Sequence, residues 1–201
     1  LNLGITYHDI DRIFFTHNHP DHMCDLIPFL FGSRYQLDAR RKDLEIVAGP
    51  GFQDFFDKLM VAFKHWLKPT EYKLNILEVD EDVSAFEGMQ VEAKKVKHIS
   101  MSRGYRFTNE KGKSVAFSGD TDYCEGMIHL GKEADLMILE CAWPDEEKTE
   151  GHLGPSLAGK LAMEANCKKL CLTHFYPPCD LQNIRKTVEE VYQGELILAR
   201  D

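Results

Sequence analysis

Strands and helices alternate along this chain, which predicts a layered α/β domain. Two observations carry that expectation. Short apolar runs are separated by segments with helical spacing of their apolar residues. Several of those runs also stop at residues able to do chemistry. No internal repeat or low-complexity linker interrupts residues 1–201, so one domain is expected.

The elements follow in order. Residues 13–16 form an apolar run that ends at a histidine-rich turn. Residues 26–35 read as helix. Residues 44–48 are strand-like and end at Gly49-Pro50-Gly51. Phe52, Phe55, Phe56, Leu59, Met60, Phe63 and Trp66 then recur at helical spacing, a stripe read as core packing rather than a ligand site. Residues 74–79 and 89–96 read as strands, the second alternating through Met89, Val91 and Ala93. Residues 105–108 and 115–118 suit a hairpin around Lys111-Gly112-Lys113. Residues 136–140 and 170–173 are short strands, 155–165 and 181–192 are helical, and 195–199 closes as a strand.

Composition narrows the function. The 201 residues are 43% hydrophobic, as in a globular domain, with a net charge of 24 − 33 = −9. An acidic chain is a poor general binder of nucleic acid or membrane surfaces. It has no run of 18 apolar residues to form a membrane-spanning helix. Residues 1–10 lack the basic start and apolar core of a signal peptide. The six cysteines (Cys24, Cys124, Cys141, Cys167, Cys171 and Cys179) are therefore read as reduced thiols of a cytoplasmic protein. Cys167 and Cys171 have no second pair to complete a zinc-ribbon spacing and are read as buried, inert thiols.

The densest chemistry lies in His17-Asn18-His19-Pro20-Asp21-His22. Three imidazoles and a carboxylate within six residues supply the nitrogen and oxygen donors that suit zinc. On a helix, positions i and i+2 diverge, so the cluster is expected on a turn, with Pro20 as a turn signal. Three more ligand-type residues follow at the ends of apolar runs: His98, Asp120 in Phe117-Ser118-Gly119-Asp120-Thr121, and His174 in Leu172-Thr173-His174-Phe175.

The first motif has the pattern His-x-His-x-Asp-His and resembles the signature of the metallo-β-lactamase superfamily, with the later ligands in that family's order. The resemblance implies a four-layer αββα sandwich with two divalent metals at one edge of the sheets. Carried over by position, His17, His19 and His98 hold one metal. Asp21, His22 and His174 hold the other, and Asp120 bridges them. Zinc is the expected metal, with manganese or iron as alternatives.

Residues 96–107, around Val96-Lys97-His98 and Gly104-Tyr105-Arg106-Phe107, resemble the ribonuclease Z branch and its phosphodiesterase relatives. The Pro-Gly-His-Thr type motif of glyoxalase II and the β-lactamases is absent. His152, 22 residues before His174, stands where that branch has a histidine thought to protonate the leaving group. The resemblance implies hydrolysis of a small or nucleotide-like phosphodiester by a hydroxide bridging the metals. Asp21 orients that nucleophile and His152 acts as general acid. Glu140 reads equally as an orienter of His152 or a metal ligand and as an ordinary loop-capping carboxylate. Ser100, Ser102 and Arg103 suit a phosphate contact or a solvated loop equally. Tyr176 is read as packing beside Pro177-Pro178, Lys94, Lys95 and Lys97 as a solvated strand end, and His8, His65 and His129 as ordinary surface or core histidines.

The sequence also departs from the family. Only 21 residues separate His98 and Asp120, too few for the tRNA-gripping arm of ribonuclease Z. With the acidic charge, this argues against tRNA processing. Leu139-Glu140-Cys141-Ala142 replaces the family's His-Glu-Ala-Thr, and Asp25 stands near a usual glycine. The 16 residues before His17 are fewer than the family's N-terminal strands need, so absent strands or a partner covering the sheet edge are expected. The alternatives are a thioester, lactone or sulfate-ester hydrolase on the same metal core, and a noncatalytic metal-binding module. A homodimer is an expectation from similar enzymes.

Overall fold

Leu44, Ile46, Val47 and Ala48 are apolar and buried on the two faces of residues 44–48, with Glu45 paired to Arg12, and the segment takes the middle place of a parallel sheet. The computed structural model describes residues 4–35 and 37–200. The ends of the expected 1–201 span, including part of the opening segment read against a signal peptide, lie outside the described residues. The chain divides into two compact units, Leu1–Val79 and Asp80–Asp201.

In the first unit, β1 (Arg12–Phe14), β2 (Leu44–Ala48) and β3 (Leu74–Glu78) form a parallel sheet in that order. Ile13, Ile46 and Ile76 lie in register across it. Parallel neighbours need long crossovers. The first contains α1 (Pro20–Met23) and α2 (Leu26–Gly32), the second α3 (Phe52–Phe63) and a 3-10 turn at Lys64–Leu67. Phe15 stacks on Phe52 with centroids 5.2 Å apart. Arg40 is fully buried and donates to the carbonyls of Tyr7, Ile10 and Asp43, which ties down the segment entering β1.

The aromatic stripe expected through residue 66 is core only in part. Phe52 and Phe56 are buried, but Phe63 and Trp66 are 37% and 53% exposed. The helix ends at Phe63 and Lys64 takes a φ of +52°. Trp66 therefore leaves the helical face and rests against Phe31, with the Arg34 guanidinium 5.6 Å from its ring.

The described residues of the second unit form a seven-stranded sheet in which every strand lies beside its neighbour in sequence. The first four, β4 (Val83–Phe86), β5 (Met89–Lys95), β6 (Arg103–Asn109) and β7 (Ser114–Phe117), are antiparallel. The β6–β7 hairpin fills the interval between His98 and Asp120. Asn109 closes its turn by accepting the N–H groups of Lys111 and Lys113. From β7 onward the pairing is parallel, through β8 (Leu136–Glu140), β9 (Lys169–Thr173) and β10 (Glu195–Leu198). The crossovers contain α4 (Glu125–Gly131), α5 (Pro155–Glu164) and α6 (Leu181–Val191).

Met127 and Leu130 of α4, Met137 and Leu139 of β8, Leu161 of α5, Leu170 and Leu172 of β9 and Val188 of α6 are completely buried in one core. Each such side chain contributes roughly 1.5–3 kcal/mol of hydrophobic burial. Neither α4 nor β4 is legible in the sequence pattern. Gly126 and Gly131 lower the helical propensity of α4, yet a Cβ at Gly126 would stand 2.3 Å from the Lys95 carbonyl oxygen. Close approach of helix to sheet, rather than propensity, decides that element. Because β7, β8 and β9 are parallel, their carboxyl ends share one edge, the usual place for a site in such sheets. Among the described residues no helix is long and apolar enough to cross a membrane.

Candidate metal centre

The first unit brings its four ligand-type side chains together. Phe15 N–H extends the β1 ladder to Val47 O, and His17 follows two residues later, completely buried. Its Nδ1 lies 3.1 Å from Thr16 Oγ1. The His19 and His22 rings sit 4.7 and 4.2 Å from the His17 ring, and His22 Nε2 is 3.3 Å from Asp21 Oδ2. The expected turn is only half right. His17 and His19 precede α1, whereas Asp21 and His22 lie on it. Pro20 is at the start of that helix, where its missing N–H costs nothing, so it starts a helix rather than marking a loop.

In the second unit three parallel strands deliver polar residues to one edge. Asp120 follows β7, Glu140 ends β8 and His174 follows β9. The Asp120 carboxylate stands between two imidazoles, with Oδ2 3.8 Å from His98 Nε2 and Oδ1 3.6 Å from His174 Nε2. Those separations exceed a hydrogen bond. They are near the roughly 3.4 Å that two bonds of about 2.0–2.1 Å to one tetrahedral ion impose. Ligand atoms of Asp120, His152 and His174 all lie within 4.8 Å of one another. His174 has a φ of +62°, a conformation that costs an L-residue about 1–2 kcal/mol and that collects at functional sites.

Glu140 is the hub behind these residues. Its carboxylate is buried and accepts four hydrogen bonds. Oε1 takes Thr121 N–H and His152 Nδ1–H, both at 2.9 Å, and Oε2 takes Ala142 N–H at 3.0 Å and Leu153 N–H at 3.2 Å. Three of these bonds come from backbone N–H groups of the adjoining loops and one from His152, so the carboxylate both caps the loops and contacts the imidazole. The hydrogen bond to Glu140 outweighs burial and raises the His152 pKa above that of an ordinary histidine. The His152 ring lies 4.9 Å from that of His98 and 6.1 Å from that of His174.

Residues 3–175 match the family model for a β-lactamase superfamily domain. The chain belongs to the β-lactamase superfamily. Ribonuclease Z of Streptomyces coelicolor is 26% identical, the match covering 100% of this chain and 81% of that protein. An uncharacterized protein of Mycobacterium bovis is 27% identical, over 91% of this chain and 68% of its own length. The metallo-β-lactamase fold protein YhfI of Bacillus subtilis superposes with a TM-score of 0.81 at 24% identity, covering 96% of this chain and 76% of that one. The fold is thus that of the metallo-β-lactamases, and the relatives include the ribonuclease Z branch. This superfamily fold implies divalent metal binding, and the imidazole and carboxylate donors of each unit fit such an ion.

Two supports of the superfamily centre escaped the sequence reading. Gly151, at φ +85°, places its carbonyl 2.9 Å from His98 Nδ1, and a Cβ there would stand 2.9 Å from that nitrogen. Donation of Nδ1–H to the carbonyl leaves the Nε2 lone pair, on the side of Asp120, as the atom able to ligate a metal. Asp122 is buried and accepts Lys148 Nζ at 2.9 Å, Tyr123 N–H at 2.8 Å and Gly151 N–H at 3.3 Å. Burial alone would raise its pKa; the Lys148 ammonium and the backbone donors outweigh that and hold it below the carboxylate range. The only sequence signal for Asp122 was its place two residues beyond Asp120.

The readings of Arg103, Ser102 and Cys171 are corrected, and those of Tyr176, Cys167, His8, His65 and His129 stand. Arg103 is neither a phosphate contact nor part of a solvated loop. It is buried and donates to Asp80, to Ser100 O and to Ser102 O, while buried Ser102 accepts Ile99 N–H. Tyr176 packs edge-on to Trp143 at 5.0 Å and lies 5.1 Å from the His174 ring, in keeping with its reading as a packing residue. Cys167 is buried but Cys171 only partly so, because its side chain points away from the core face of β9 that holds Leu170 and Leu172. His8 and His129 pair with Asp38 and Glu92, and His65 packs on Trp66.

Proposed function

We propose that this chain is a dinuclear metal-dependent phosphodiesterase of small or nucleotide-like substrates. His17, His19 and His98 would hold one divalent cation, Asp21, His22 and His174 the second, and Asp120 both. Zinc suits these donors best, with manganese or iron as substitutes. When bound, the cations would supply Lewis-acid stabilisation of phosphoryl charge and lower the pKa of a water. Asp21 would orient the attacking water. His152 would give its proton to the leaving alkoxide, and Glu140 would hold the imidazole in position through Nδ1.

The observation that carries the reading is the Glu140–His152 pair, a buried carboxylate 2.9 Å from a partly exposed imidazole, beside Asp120, His98 and His174. A carboxylate that fixes Nδ1 and raises the histidine pKa favours the imidazolium form, whose other nitrogen carries the proton to be donated. Kinship with a ribonuclease Z supports phosphodiester chemistry. The six thiols, none in a disulfide, support a reducing, cytoplasmic setting.

The test is turnover of bis(p-nitrophenyl) phosphate by zinc- and manganese-loaded protein. Asp120→Ala is expected to abolish it. No turnover by protein carrying two metals per chain, alongside hydrolysis of a thioester, would overturn the phosphodiesterase reading.

A further inference from the structure

The segment from Trp143 to Leu153 carries His152 between β8 and α5, and it is held from two sides. Glu140 holds its far end through His152 Nδ1–H and Leu153 N–H. The near side is held by Asp122, a residue of the β7–α4 connection. Asp122 Oδ2 accepts both Lys148 Nζ at 2.9 Å and Gly151 N–H at 3.3 Å, and Lys148 also reaches Thr149 O at 3.1 Å. Lys97 Nζ, 3.8 Å away and more than half exposed, is the other cation facing this carboxylate. Asp122 is anchored in turn. Its own N–H goes to Lys97 O, and Thr121 Oγ1 donates to Asp122 O.

Gly151 is the crux of this arrangement. Asp122 binds its N–H, its carbonyl binds His98 Nδ1, and His152 is the next residue. A shift of the 148–151 arm therefore moves the His152 backbone, even with Glu140 intact. We infer that Asp122 and Lys148 are positioning residues for His152, an ion-pair latch that fixes the loop presenting the proton donor. The inference rests on the role given to His152 above.

The test compares two thymidine phosphodiesters differing only in the leaving group, thymidine 5′-p-nitrophenyl phosphate and thymidylyl-thymidine. Nitrophenolate leaves without a proton, whereas a sugar alkoxide needs one. Misplacing a catalytic group by about 1 Å can cost 10²-fold. Lys148→Met is expected to lower kcat about 10- to 100-fold on the dinucleotide and less than about 3-fold on the aryl ester. Metal content is measured for each variant. Lys148→Arg is expected to restore most of the loss, and Asp122→Asn, which keeps one acceptor for Gly151, to repeat the split.

Equal losses on both substrates at full metal content would overturn the latch and leave only a structural ion pair. If His152→Ala itself shows no split, the proton-donor role falls and the latch with it; a split for His152→Ala alone sinks the latch only. Amide exchange gives a readout independent of turnover. In Lys148→Met, exchange at Gly151, His152 and Leu153 is expected to rise at least about tenfold, with β8 unchanged. Unchanged exchange at those three amides overturns the inference.

Discussion

Replacing Glu140 by glutamine removes a charge without changing shape, and the four hydrogen bonds of the carboxylate set the cost. An amide has one acceptor atom. With its NH2 group at the Oε2 position, it would oppose two buried backbone donors, Ala142 N–H and Leu153 N–H. With NH2 at the Oε1 position, it opposes only Thr121 N–H. There it can also donate to His152 Nδ1, provided His152 carries its proton on Nε2. The second orientation is therefore expected. One unpaired buried donor costs about 1–3 kcal/mol, and loss of charge assistance in the remaining bonds adds about 1 kcal/mol. Glu140→Gln should thus destabilise by about 2–4 kcal/mol in urea unfolding at neutral pH.

Imidazole nitrogen NMR should at the same time show His152 changing from the Nδ1–H to the Nε2–H tautomer. The hydrogen bond that raises its pKa is lost, so its titration should move to lower pH. A variant within about 0.5 kcal/mol of wild type, with the tautomer and titration of His152 unchanged, would refute this account of the hub.

Gly151→Ala should destabilise by about 2–4 kcal/mol, from a left-handed backbone and a lost Nδ1–H bond to His98. Zinc titration should also show weaker binding, because His98 must turn away from the new Cβ; full retention of both properties would argue against the close approach. Asp135 accepts from Lys168, Ser114 N–H and Lys113, which hold its pKa well below the usual carboxylate range. A depressed folded-state pKa contributes stability above the unfolded value, near ~3.9, and loses it as pH falls toward the folded value. Asp135→Asn should therefore unfold more easily than wild type at neutral pH, with the gap closing below about pH 4; a gap that persists in acid would refute the assignment.

The parts most legible in the sequence were those written in one side chain at a time. Leu44–Ala48 and Leu136–Glu140 stand as strands with the expected bounds because buried parallel strands are dominated by apolar residues. The candidate ligands were legible because histidines cluster only at a chemical cost. What stayed hidden depends on groups that sequence does not pair. Gly126 makes a poor helix former into the right one by letting α4 approach β5. Arg103 looked like a free cation after His98 but is committed to backbone carbonyls and Asp80. Gly151 and Asp122 carry no motif of their own; each acts through a neighbour brought close by the fold.

Strand order in the second unit has a consequence for biosynthesis. Each strand from β5 to β10 pairs with the one made just before it, so a chain leaving the ribosome can add to the sheet in the order of translation. The antiparallel half, β4 to β7, closes short loops, whereas each parallel addition from β8 onward waits for its helical crossover. Asp120, Glu140, His152 and His174 emerge in that same order. At roughly 5–20 residues per second, the 54 residues from Asp120 to His174 take some 3–11 s to appear. Asp120 and Glu140 are thus made before His174, and the candidate ligands of this unit are all present only after β9 has been made.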